Sequence, residues 1–347
     1  MKYIITILLA FIFITGCSKK SDEKPFTEAN KYQIDSSDIK TQPIENQNES
    51  FTLQYKLGKG KTYKYRLTTI TNDSQSITAD TTINSNIKQT IIYLISLTPV
   101  STDKDGITEI NCVFNSVKLN ALANGQEYNY ESTTNIDSLE RNKFADYESL
   151  INSDIGIRIS KTGEIIEVFR TDKIVNKFLS IKGIADSISA AQKEQLKTNM
   201  VEGAVKPLLF QIFRQMPDNS LAKDSTWTYS QPASQLMVYQ IQNTNTYRIN
   251  SIEKLNDSKL AVIEGGMLTK VTGDDQISER GISYRFKKPE TSASGKIYFN
   301  ITDGCIQKAR TNTSINIFYT MEGKTPQGFQ KGSKQENISN SYFLERL

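Results

Sequence analysis

The sequence predicts a mainly β protein: large, curved antiparallel sheets, half-barrel-like and built from two repeats, with one helical segment across the middle. Three observations predict it. Apolar and polar residues alternate with a period of two in a series of short stretches within residues 51–170 and 220–347. Between residues 171 and 216 the apolar spacing lengthens to three and four, as in a helix lying on a core. The turn signatures of the first strand-rich stretch recur in the same order in the second.

The chain opens with Met1-Lys2 and an eleven-residue apolar run, Ile4 to Ile14. That run is too short for a membrane span, which takes about 20 residues, and has the length of a secretory signal core. It ends in Ile14-Thr15-Gly16-Cys17, which resembles the lipobox of bacterial lipoproteins. The resemblance implies a leader over 1–16 and a diacylglycerol- and palmitate-bearing cysteine at Cys17, anchoring the protein to the cell envelope, in the outer membrane. Residues 17–50 read as a disordered tether: 18–25 is charged and polar, and 41–50 is amide-rich with Ile44 as its one apolar residue.

Phe51, Leu53, Tyr55 and Leu57 alternate with Thr52, Gln54 and Lys56, and after Gly58-Lys59-Gly60 the alternation resumes at Tyr63, Tyr65 and Leu67. Further strands are expected at 89–99, 108–119, 156–160, 165–169, 237–247, 259–269, 281–286, 295–301 and 305–319. They are rich in β-branched and aromatic residues and punctuated by Asp105-Gly106, Thr162-Gly163 and Asp303-Gly304. In the helical insert, 171–216, Ile174, Val175, Phe178, Leu179 and Ile181 form one stripe. Ser189-Ala190-Ala191-Gln192 has the form of a capping box. Leu196, Met200, Ala204, Leu208, Ile212 and Met216 then recur every fourth residue, and Gly203 and Pro207 are expected to break the run in two.

The repeat expectation, 51–170 against 220–347, rests on Lys61-Thr62-Tyr63-Lys64-Tyr65 beside Ser225-Thr226-Trp227-Thr228-Tyr229. Hairpin turns follow at 105–106 and 256–258, then at 162–163 and 303–304. Two such curved sheets would share one concave surface.

Composition narrows the function. There is no histidine, so imidazole acid–base chemistry, histidine-activated serine or cysteine nucleophiles and histidine-ligated metals are excluded. Carboxylate chemistry survives, but no carboxylate pair has a diagnostic spacing, no calcium loop or phosphate-cradling glycine loop occurs, and neither metal nor cofactor is expected. Lys plus Arg is 42 against 38 for Asp plus Glu. The densest basic stretch, Lys56 to Arg66, reads as a solvated strand face, so no nucleic-acid partner is expected. Cys112 and Cys305 remain besides Cys17, open to a disulfide or to burial as small apolar residues.

The order of lipobox, polar tether, a Lys-Gly-Lys-Thr-Tyr-Lys-Tyr strand, a central helical stretch, Met216-Pro217 and then Lys223-Asp224-Ser225-Thr226-Trp227 resembles a family of Gram-negative lipoproteins without assigned activity. The resemblance implies envelope location and β architecture, and carries no catalytic residue. The reading is of a non-catalytic envelope protein binding an apolar ligand or lipid chain between sheet and helices, with Phe178, Leu209, Ile212, Phe213 and Trp227 as the lining. Two alternatives stand beside it: a structural or assembly module docking onto an envelope protein or glycan, and a carboxylate glycosidase.

Overall fold

The structure, a computed structural model, describes residues 32–325 and 328–347. The leader, Cys17 and the first part of the tether lie outside the described residues. The strands are β1 (Gln42–Pro43), β2 (Tyr63–Thr78), β3 (Thr82–Thr102), β4 (Thr108–Ala123), β5 (Gln126–Glu131), β6 (Asp154–Ile159), β7 (Ile165–Phe169) and β8 (Thr226–Ser230). They continue as β9 (Ser234–Leu236), β10 (Tyr239–Leu255), β11 (Ser258–Thr272), β12 (Gln276–Glu279), β13 (Ile282–Phe286), β14 (Glu290–Asn300), β15 (Cys305–Thr325) and β16 (Gly328–Arg346). All sixteen belong to one open antiparallel sheet, whose main path is β1-β10-β11-β14-β15-β16-β2-β3-β4-β6-β7. Strands β8 and β9 pair with β10, β5 pairs with β4, and the β12–β13 hairpin pairs with the far end of β15.

The path contains one succession twice. Strands β2-β3-β4-β6-β7 follow the same neighbour order as β8-β10-β11-β14-β15. The register matches too: Cys112 opposes Ile155 as Ile263 opposes Ile297, and Ile110 opposes Ile157 as Ala261 opposes Phe299. Strand β16 stands between the two series, pairing with β15 on one side and β2 on the other.

Opposed residues point to the same face, so the ladders can be followed as rows across the sheet. One row, Ile249-Ile263-Ile297-Ala309-Leu344-Leu67-Tyr93-Val117, crosses eight strands, and every member is buried. This face carries the core. Helix α1 (Ser138–Lys143) packs on α2 (Ala145–Leu150) and α3 (Asp172–Lys182), which cover this face together with a longer helix made of α4 (Ala190–Met200), a π turn at Val201–Val205 and α5 (Lys206–Ile212). Cys112 and Cys305, in β4 and β15, are free and buried, and burial pushes the Cys112 thiol up to about 12.

Three expectations need correcting. Residues 51–57 are not a strand of the sheet. They are an extended segment that sends Leu53, Tyr55 and Leu57 into the core and bonds to both series at once, with Tyr55 N–H on the Lys161 carbonyl (2.8 Å) and Lys56 N–H on the Gly304 carbonyl (2.9 Å). Gly203 and Pro207 do not break the helix, which runs from Ala190 to Ile212. The π turn reaches from the Lys206 N–H back to the Val201 carbonyl, so the ladder is already widened where proline lacks its donor. The capping box at Ser189 and Gln192 forms as expected.

The third correction concerns the tether. From residue 32 onward the chain is a strap along the opposite face of the sheet. Lys118 Nζ lies 5.2 Å from the centre of the Tyr32 ring. Asp35 pairs with Lys308 at 2.7 Å and Asp38 with Lys296 at 2.8 Å. Ile39 packs with the Leu260, Val262 and Tyr298 cluster, β1 pairs with the end of β10, and Glu49 pairs with Lys259. The lysine ion pair and the Ser37 hydrogen bonds hold the Asp35 carboxyl well below the ordinary carboxylate range.

Candidate functional site

Leu209, Ile212 and Phe213 come together, but as core. Each is at most 2% exposed, and all belong to the main apolar cluster. The Tyr55 ring wedges edge-on between Phe213 (5.6 Å) and Phe299 (5.4 Å). The best-formed depressions among the described residues are shallow, one under the strap at Asp35 and Asp38, the other beside Tyr239 and Phe286. Neither lies between helices and sheet, so the expected trough there is filled. Phe178 is elsewhere, half-buried on α3 with Lys182 Nζ 5.9 Å from its ring centre. Leu209→Ala should therefore cost about 2–5 kcal/mol, the range for cavities cut into filled cores. Chemical denaturation measures it, and a loss well below that range would mean the helix wall is loosely packed.

Trp227 is placed differently. It starts a second row, one step outward from the buried one: Trp227, Tyr247, Gly265, Gly295, Thr311 and Tyr342, directly opposed across β8, β10, β11, β14, β15 and β16. The indole stacks on Tyr247 at 5.2 Å and 20°. The Tyr247 ring leans over Gly265, 3.5 Å from where a Cβ would stand. Above Gly295 the nearest groups are the Arg310 carbonyl and Thr311 itself. A glycine inside a strand marks a place where other atoms approach the backbone closely, and here two stand side by side. The row is the rim of the core. Farther out, the same face carries Asn245, Met267, Thr313, Ile315, Tyr319 and Met321, half-buried, with Tyr319 packed against the rings of Tyr284 and Phe286. Their counterparts on the other face, such as Leu268, Ser292, Asn316 and Thr320, are exposed. The face that carries the core is thus also the sheltered, concave one.

Into the middle of the rim comes Arg214, two residues beyond α5. Its backbone is fixed by Tyr55, whose hydroxyl accepts from the Arg214 N–H (2.8 Å) and donates to the Arg214 carbonyl (3.2 Å). Its guanidinium reaches Gln211 Oε1 and, at 3.0 Å, Thr311 Oγ1. The ionisable groups that face it are the hydroxyls of Tyr247, Tyr55 and Tyr342, and burial pushes its pKa down. Burial raises those of Tyr247 and Tyr342, partly offset by the positive charge of Arg214. Two donors at the rim, Arg214 Nε and Trp227 Nε1, are buried without an acceptor among the described residues.

Sequence reasoning reached Trp227 and missed Arg214, Tyr247, Thr311, Tyr342 and the paired glycines. The available signal was Gly265-Gly266 inside the expected strand at 259–269, since glycines within a strand mark a close approach to its backbone.

Residues 105–306 match the family described as "Family of unknown function (DUF6263)", and the chain belongs to that family. The matched region holds Arg214, Trp227, Tyr247, Gly265 and Gly295. No curated protein matches the chain. Among solved structures, one described as "lipid-protein interactions in lipovitellin" is similar over 84% of this chain and 25% of that one, at 11% identity and a TM-score of 0.40. An outer membrane channel from Pseudomonas putida F1 is similar over 85% and 98%, at 8% identity and a TM-score of 0.21. OccK5 of Pseudomonas aeruginosa is similar over 84% and 100%, at 6% identity and a TM-score of 0.21. The chain spans about a quarter of the lipovitellin chain it matches.

Proposed function

We propose that the protein is a non-catalytic lipoprotein of the bacterial cell envelope, anchored in the outer membrane through acylated Cys17, that holds an apolar or amphipathic chain on the uncovered half of its concave sheet face. The observation that carries this reading is the side-chain pattern outward of the rim. Tyr247 and Tyr342 on the rim, and Met267, Ile315, Ile338 and Tyr319 outward of it, are apolar or aromatic and share one face, interleaved with Asn245, Thr313 and Asn340. Half-formed apolar concavities with a few polar groups are where small molecules bind. The strap runs along the other face, so an anchor N-terminal to it leaves the concave face free.

Mass spectrometry of the native, detergent-extracted protein tests both parts. The expected result is a diacylglyceryl-modified, acylated N-terminal Cys17 and a co-purifying species with an apolar chain. An unmodified cysteine would remove the anchor. A clean, ligand-free protein that also takes up no long-chain probe would remove the binding role and favour docking onto an envelope protein or glycan, which the Asn245, Thr313 and Asn340 side chains on the same face would suit.

A further inference from the structure

Arg214 is a half-buried cation, its Nε fully enclosed, with no acid to answer it. Among the described residues no carboxylate comes within ion-pair distance, although eighteen such pairs form elsewhere. A guanidinium has five N–H donors and no acceptor, and holds its charge throughout the physiological range. Here the guanidinium bonds go to two neutral oxygens, on Gln211 and Thr311, while Nε meets no acceptor among the described residues. Taking a charge out of water without a partner is costly. The carbonyl end of α5 lies close by and favours a cation in general terms, but it gives Nε no acceptor.

The surroundings have the form of a built site. The floor is the backbone of Gly265 and Gly295, which are directly opposed. Tyr247 and Tyr342 flank it in the same row, and Tyr55 fixes the arginine from behind. Trp227, stacked on the far side of Tyr247, adds the second orphaned donor. Outward from the guanidinium the same face carries first the opposed pair Thr313 and Asn340 and then the apolar pair Ile315 and Ile338.

We infer that Arg214 is an anion-binding residue and that the ligand carries an oxyanion, a carboxylate or phosphate, at the inner end of its apolar chain; the chain belongs to the function proposed above, the oxyanion to Arg214. Arginine suits this task because its planar fork meets such groups with two parallel bonds.

Trp227 is the only tryptophan of the chain, so its fluorescence reports on the rim directly. The full mature protein is titrated with oleate, with oleyl alcohol and with inorganic phosphate, as wild type, Arg214→Gln and Arg214→Lys, each checked by thermal melting. Wild type should bind oleate at least about tenfold tighter than the alcohol, as charge-assisted bonds imply. Arg214→Gln should bring the two within about threefold by weakening oleate alone. Should Arg214→Gln melt early, Arg214→Lys decides, because it keeps the charge, loses the fork and must still lose several-fold of the preference. Equal binding of oleate and alcohol by wild type overturns the oxyanion assignment and leaves the apolar site standing. Failure of both long chains overturns the apolar site. In that case a phosphate response that disappears in Arg214→Gln keeps the oxyanion site, as one for a free anion, and no phosphate response removes it as well.

Discussion

Ending the chain at residue 327 should abolish folding, although the twenty residues removed contain only one fully buried side chain, Leu344. The reason is topological. Strand β16 is the link between the two strand series, bonded to β15 along 308–325 and to β2 along 65–78. Without it the sheet becomes two, and β15 and β2 each gain a long edge of unpaired backbone donors and acceptors, which invites pairing between molecules. The buried row is cut between Ala309 and Leu67 at the same time. Losses on that scale exceed the roughly 5–15 kcal/mol by which ordinary proteins are stable, so the product should be insoluble or collapsed without fixed packing. Residues 51–170 expressed alone should behave likewise, since β2 again lacks its partner. Solubility, near-ultraviolet circular dichroism and a melting curve measure the outcome. A soluble, sharply melting fragment would mean that the series are autonomous and that β16 only joins them.

The strand that matters most for this result is also the one least visible in the sequence. Pattern reading finds strands through an apolar face against a polar one, which holds for Tyr63-Tyr65-Leu67 and for Ile155-Ile157-Ile159 because those stretches lie on the core. Residues 328–340 of β16 lie outward of the rim, where neither face is fully buried, and their Lys, Ser, Gln and Asn residues carry no alternation to find. The outer halves of β2 and β3 were lost for the same reason. The strap is hidden in the opposite sense: its anchors are mostly ion pairs of Asp35, Asp38 and Glu49 and backbone pairing at 42–44, so its composition is that of a free tether. Pro207 gave a true local signal that a π turn absorbed. The core was legible in Leu209, Ile212 and Phe213, and their burial could not be told from ligand lining until the packing was seen. Apart from Trp227 and the Gly265-Gly266 pair, the rim was out of reach, because Tyr247, Gly295, Thr311 and Tyr342 meet only through register.

Gly304→Ala and Gly163→Ala should each destabilise the protein far more than a buried-volume argument would suggest, and should do so through the segment at 51–57. Gly304 has φ +63°, and a Cβ there would fall 2.3 Å from the Lys56 nitrogen and 2.7 Å from the Gln54 carbonyl oxygen. Gly163 has φ +88°, and a Cβ there would fall 2.4 Å from a Tyr55 ring carbon and 2.5 Å from the Arg214 carbonyl oxygen. Both are the hairpin glycines at matching places in the two series, and each presses on the same extended segment. Left-handed backbone costs an alanine about 1–2 kcal/mol, and forcing atoms into a packed site adds about 1–3, so each variant should lose roughly 2–5 kcal/mol. Gly183→Ala separates the two contributions. Gly183 caps α3 at φ +68° with nothing within 4 Å of an added Cβ, so it should pay the backbone cost alone. Chemical denaturation of the three variants gives the comparison, and equal losses would show that the segment yields freely and clamps neither series. Gly163→Ala should have one further effect. Its clash falls on the carbonyl that Tyr55 holds in place, so Arg214 must shift, and the fluorescence of Trp227 should lose its response to oleate in protein that is still folded, while Gly304→Ala, whose clash falls on Lys56 and Gln54, should keep it.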